Sequence, residues 1–181
     1  MKESPIDFNA VYNQYHKLVY NVALNYLQNI ENAEEITQDV FVQLHQSLHK
    51  FNQKSSLKTW IYKITINKCL DFIKQKDSKK YFFVFGRKSS NENEVQNVSN
   101  YEHPGILLEN KENSKILFEV INGLAENQKT AFILSKLDGL SNPEISEIMQ
   151  VSISSVESLI FRAKTNLKEK LSIKFEAYRK K

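Results

Sequence analysis

Apolar residues in the first part of the chain recur at three- and four-residue spacing. Between Phe8 and Leu27 they fall at Phe8, Val11, Tyr12, Tyr15, Leu18, Val19, Val22 and Tyr26, which predicts a helix with one buried face. A second helix is expected from about Ala33, with Ile36, Val40, Phe41, Leu44 and Leu48 turned inward. A third is expected to open at Ser55-Ser56, whose hydroxyls suit an N-cap, and to run to about Lys76. Helices of this length can enclose a small core, so residues 6–76 read as one helical domain.

The pattern is lost over residues 77–113. Ser89-Ser90-Asn91-Glu92-Asn93-Glu94 is polar and turn-rich, and His103-Pro104-Gly105 breaks any regular element. The stretch reads as a flexible linker. Within it, Tyr81-Phe82-Phe83-Val84-Phe85 is unusually aromatic, suiting either a partner contact or packing against the first domain. Helical spacing resumes with Leu107, Ile116, Leu117, Val120, Ile121 and Leu124, continues over Gln128 to Leu137, and breaks at Asp138-Gly139. Ser141-Asn142-Pro143-Glu144 is a capping box with Pro in the first turn, so a short helix should start there and end near Met149-Gln150. A longer helix should follow from Ser152 or Ser154, with Val156, Ile160, Ala163, Leu167 and Leu171 inward. Two helices joined by a tight turn, the second basic at its far end, form a helix-turn-helix signature over residues 114–173. The expected fold is all-α, with two small helical domains.

Composition narrows the class. Only four Gly and three Pro punctuate 181 residues, too few for a many-turned β-sandwich or barrel. A single cysteine, Cys69, can form no internal disulfide and no Cys-based zinc site, so the chain reads as intracellular. No segment approaches the roughly 18 apolar residues of a membrane span, and the first residues lack a secretory signal. A soluble, cytoplasmic protein is expected.

The net charge of +4 is unevenly spread. Glu31 to Phe41 holds four acids and no base, whereas Val42 to Lys76 holds seven lysines against Asp71 alone. Arg162 to Lys181 holds eight bases against Glu169 and Glu176. Two basic blocks suit a polyanion contacted at two places, and the acidic block suits a basic partner.

Three constellations carry chemistry. On the second helix, Glu35, Gln38, Asp39, Val42 and Gln46 lie opposite the apolar arc; an apolar Val42 ringed by polar residues is built like a docking surface, or is a stray surface valine. The third helix carries a stripe of Lys63, Asn67, Asp71 and Lys74, with lysines for phosphates and Asn67 for a base edge. Ahead of it, Asn52-Gln53-Lys54-Ser55-Ser56 is rich in amides and hydroxyls able to bond an unstacked base. Trp60 is a candidate stacking surface, set against ordinary core packing. In the second block, Ser154, Ser155, Glu157, Ser158 and Phe161 would face a major groove, with Arg162, Lys164 and Lys168 near phosphates.

Leu140 to Lys164 resembles region 4 of bacterial sigma factors. Ala33-Glu-Glu-Ile-Thr-Gln-Asp-Val-Phe41 resembles region 2.2, and Lys58 to Ile73 resembles regions 2.3 and 2.4. The two matches, in order and separated by a linker, are similar to the extracytoplasmic-function (ECF) group of the sigma-70 family. That resemblance implies a sigma factor that directs core RNA polymerase to promoter DNA and helps open it. Glu35, Gln38 and Asp39, with Val42, would then grip the β′ clamp helices, and region 4 would also meet the β flap. The 52–56 loop, Trp60, Lys63, Asn67 and Lys74 would serve the −10 element, and the helix-turn-helix the −35 element. An anti-sigma partner is a further expectation from the family. Where the family commonly has Thr, Lys and Arg, this chain has Ser155, Glu157 and Leu159; Glu157 can accept from a cytosine amino group, while Leu159 cannot contact phosphate.

Other classes fit less of the chain. His45 and His49 have the spacing of a helical zinc pair, but Gln46 stands where a general base would be and no third ligand is evident. No phosphate loop or nucleophile elbow is present, so no metal, cofactor or catalytic residue is expected. A polymerase-independent helix-turn-helix regulator explains the second block and leaves the acidic face and the amide-rich loop unused.

Overall fold

In the computed structural model, the described residues are 6–86 and 111–179, and all regular elements among them are helical. They form two compact units. The first contains α1 (Phe8–Leu27), α2 (Ile30–Ser47), a one-turn 3-10 helix (Leu48–Lys50) and α3 (Leu57–Gly86). The second contains α4 (Lys111–Asn122), α5 (Glu126–Lys136), α6 (Asn142–Met149) and α7 (Ile153–Arg179).

In the first unit the core is what the apolar spacing demands. Val19, Val22, Tyr26, Ile36, Val40, Leu44, Ile61 and Cys69 are buried, and each fully buried aliphatic side chain contributes about 1.5–3 kcal/mol. Thr65 is also fully buried, and its hydroxyl donates to the Ile61 carbonyl at 2.8 Å, so it adds no unpaired polar group. Asp7 caps α1 by accepting the Asn9 N–H at 3.1 Å. Only Gln28 and Asn29 separate α1 from α2. Gln28 takes a left-handed conformation (φ 54°) and returns its N–H to the Leu24 carbonyl at 2.8 Å. Asn29 caps α2, its side chain accepting the Asn32 N–H at 2.7 Å, so the helix begins three residues before the expected Ala33.

The third helix also outruns its expected end. It continues from Lys76 to Gly86, since Asp77 to Lys80 lack apolar spacing but contain no Gly or Pro to stop a helix. The backbone of Tyr81 to Phe85 is therefore helical, and their side chains lie outside what is described. The remainder of the expected linker, residues 87–110 with His103-Pro104-Gly105 and Leu107, lies outside the described residues.

In the second unit Ile121, Ile133, Leu134, Ile145, Val156, Ala163 and Leu167 make the core. Gly139, at φ +69°, ends the turn after α5 and lets the Leu140 N–H reach back to the Leu134 carbonyl at 2.9 Å. The expected capping box is present at α6, where the Glu144 carboxylate accepts from the Ser141 N–H (2.8 Å) and hydroxyl (2.7 Å). One edge of α7 is tied to α4 and α5. Asn166 donates to Gln128 at 2.9 Å, Lys170 donates to the Gly123 carbonyl at 2.7 Å, and Lys174 pairs with Glu119.

Candidate functional site

The outer face of α2 follows from the phase of its core residues. With Val40 and Leu44 fully buried, Glu35, Gln38, Asp39 and Gln46 are exposed, and Val42 stands among them at 57% exposure. The five predicted residues thus share one surface. Asp39 is not solitary: its carboxylate pairs with Lys68 of α3 at 3.3 Å. Sequence reasoning gave Lys68 no role, because the two residues are 29 positions apart and nothing local links them.

The five-residue loop before α3 divides into structural and outward parts. Asn52 accepts the Lys54 N–H at 3.3 Å, and Ser56 caps α3 by accepting the Thr59 N–H at 3.0 Å, with the two hydroxyls 2.8 Å apart. Between them Gln53 adopts φ 56°, a conformation that costs a non-glycine residue about 1 kcal/mol. Gln53 and Lys54 are exposed. Trp60 is half-buried, its ring 5.1 Å from that of Phe51, so the packing role is the one its surroundings display. Lys63 is half-buried, and Asn67 and Lys74 are exposed along α3.

The helix-turn-helix is built from α6 and α7. Gln150, left-handed at φ 57°, ends α6, and Ser152 caps α7 by accepting the Ser155 N–H at 3.2 Å. The Ser152 hydroxyl also lies 3.0 Å from that of Ser154 and 2.8 Å from that of Ser155. Ser154, Ser155, Glu157, Arg162 and Lys164 are exposed, and Phe161 is 71% exposed, far more than packing requires of an aromatic ring. Half-buried Ser158 accepts from the Arg162 guanidinium at 2.7 and 3.2 Å, so both residues are partly engaged along the helix. Glu157 meets the Asn142 amide at 3.5 Å, at the outer limit of a hydrogen bond.

The histidine pair does not keep its helical geometry. Ser47 ends α2, so His45 lies in its last turn and His49 in the 3-10 helix. The His45 ring packs edge-on against Phe8 at 5.0 Å. Among the described residues no group of three His, Cys, Asp or Glu could hold a metal ion, and no helix is long and apolar enough to cross a membrane.

Sigma-70 region 2 matches residues 11–79, and Sigma-70 region 4 matches residues 114–167. The chain belongs to the sigma-70 family, in its extracytoplasmic-function group. Over 174 residues it is 28% identical to the ECF RNA polymerase sigma-E factor of Haemophilus influenzae, spanning 91% of this chain and 87% of that protein. The ECF RNA polymerase sigma-E factor of Escherichia coli is 29% identical over 91% of this chain and 86% of its own length. Among solved structures, the sigma factor RpoE of Bartonella quintana, in complex with the anti-sigma factor NepR, matches with a TM-score of 0.66. Identity there is 21%, over 92% of this chain and 98% of that one. CnrH, in complex with the cytosolic domain of CnrY, gives a TM-score of 0.64 at 17% identity, over 92% and 88%. As a sigma factor the chain directs core RNA polymerase to promoters for transcription initiation.

Proposed function

We propose that this sigma factor works through three surfaces. The face of α2 centred on Val42, with Glu35, Gln38, Asp39 and Gln46, docks on the basic clamp helices of polymerase β′; the region 4 unit meets the β flap. The helix-turn-helix reads the duplex −35 element, with Ser154, Ser155, Glu157, Ser158 and Phe161 toward the groove and Arg162 and Lys164 near phosphates. The 52–56 loop with Lys63, Asn67 and Lys74 engages the −10 element and holds bases released as the duplex opens, with Trp60 bracing the loop. Melting is driven by capture of unpaired bases, so the chain needs no nucleotide hydrolysis and no active site of its own. It acts in the cytoplasm, beside the polymerase, and an anti-sigma protein masks one or both units.

The observation that carries this reading is Val42, an apolar side chain 57% exposed at the centre of an acidic and amide-rich helix face. A repressor acting alone has no use for that face. Run-off transcription from a genomic fragment library with core RNA polymerase tests it, comparing the native chain with Asp39→Arg. Defined transcripts should appear with the native chain and be lost with the variant. Absence of transcripts, together with failure of the native chain to co-elute with competent core enzyme, would overturn the reading.

A further inference from the structure

Asp39 on α2 and Lys68 on α3 form their 3.3 Å pair with side chains 54% and 31% exposed. The pair joins the proposed docking face to the helix proposed to follow promoter DNA. Lys68 lies outside the stripe of Lys63, Asn67 and Lys74: at 100° per residue it is half-buried about 100° round the helix from Asn67 and about 120° from Lys74.

A pair this exposed is weak, so a second cation arriving at Asp39 displaces Lys68 at little cost. The acidic face of α2 is complementary to such a cation on a basic partner helix. A displaced ammonium then has two acceptors in reach, the exposed Asp71 carboxylate three residues along α3 and a backbone phosphate of DNA lying along that helix, where the dense charge of the duplex outweighs one solvated carboxylate. We propose that Lys68 is a further phosphate-binding residue, kept on Asp39 in the free protein and released to the promoter backbone when a basic helix of core polymerase takes Asp39. The exchange rests on the sigma-factor reading above. It makes the two events reciprocal: DNA that draws Lys68 away frees Asp39 for polymerase by the same factor. The strength of the pair bounds that factor at about two- to fivefold.

A double-mutant cycle on the full chain with core RNA polymerase tests it. Lys68→Met keeps the aliphatic stem and removes the charge. With fluorescence anisotropy of the labelled chain, Lys68→Met should tighten core binding by about two- to fivefold. In an Asp39→Asn background the same substitution should have no effect. The holoenzymes are then titrated, across a salt series, against a labelled promoter fragment recovered in the run-off experiment. Lys68→Met should lower the slope of log K against log salt by about 0.7–0.9, one phosphate contact. Equal tightening in both backgrounds indicates long-range charge in place of exchange and overturns the proposal. Weaker core binding, or an unchanged salt slope, does the same. A native chain that never binds core enzyme overturns the sigma-factor reading itself, before either variant is compared. Lys68→Gln repeats both arms, and a matching thermal melt by circular dichroism shows that each variant is folded.

Discussion

The region 2 and region 4 units each carry a block with a local charge of +6, and the two blocks use their lysines differently. On α3, Lys63 and Lys74 lie along one side, and Lys68, on a different side, reaches across to a neighbouring helix. On α7, positions 166, 170 and 174 recur every four residues and bond across the surface to Gln128, the Gly123 carbonyl and Glu119. That edge fastens α7 to the end of α4 and the start of α5. On other sides of the helix Arg162, Lys164 and Lys168 are exposed and carry no such tie to α4 or α5 among the described residues. A lysine on α7 is therefore left to solvent or bound in a structural tie according to its phase, and a run of positive charge counts both kinds together.

The largest expected effect tests whether the units are separate structural entities. Leu44→Ala and Ile133→Ala each remove a fully buried side chain and should cost about 2–5 kcal/mol. The chain has one tryptophan, Trp60, in the region 2 unit. In urea titrations, Leu44→Ala should lower the midpoint seen by its fluorescence. Ile133→Ala should leave that midpoint in place and shift only the circular dichroism transition. A fluorescence midpoint that moves equally in both variants would merge the two units into one.

A smaller effect separates the two kinds of lysine on α7. Lys164→Ala and Lys168→Ala should each reduce the salt slope of holoenzyme binding to a −35 duplex by about 0.9. Lys170→Ala and Lys174→Ala should leave that slope unchanged and lower stability by up to about 1 kcal/mol. The reverse pattern would mean that the bonded edge of α7 meets DNA. In urea titrations followed by circular dichroism, Glu144→Ala removes the acceptor of both Ser141 bonds and should destabilise the region 4 unit by about 1 kcal/mol. The smallest is Gln53→Gly, which relieves a left-handed non-glycine residue. It should raise stability by about 0.5 kcal/mol while slowing open-complex formation in permanganate footprinting, if the side chain serves the −10 element. Unchanged opening would remove Gln53 from the site.

What was legible beforehand was local. The Ser141-x-x-Glu144 box, the Asp138-Gly139 break and the buried phase of α7 all depend on residues within four positions of one another, and the structure shows each. The start of α2 was less visible because its boundary uses Gln28 in a conformation usually left to glycine. The far end of α3 was hidden because that helix continues without apolar spacing. Long-range pairings gave no signal at all: Asp39 with Lys68, Glu119 with Lys174, Gly123 with Lys170. Of the loop residues, Asn52 and Ser56 already serve the backbone, which only their hydrogen bonds disclose.

The two-residue turn of Gln28 and Asn29 sets a tolerance to insertion. One added residue there would rotate α2 by about 100° relative to α1. Leu44 would leave the core and Val42 would leave the outer face together, because both are fixed to the same helical phase. Length variation at this turn is therefore closed to the chain unless it arrives in whole turns, and the composition of the outer face of α2 is guarded by a junction ten residues upstream of Asp39.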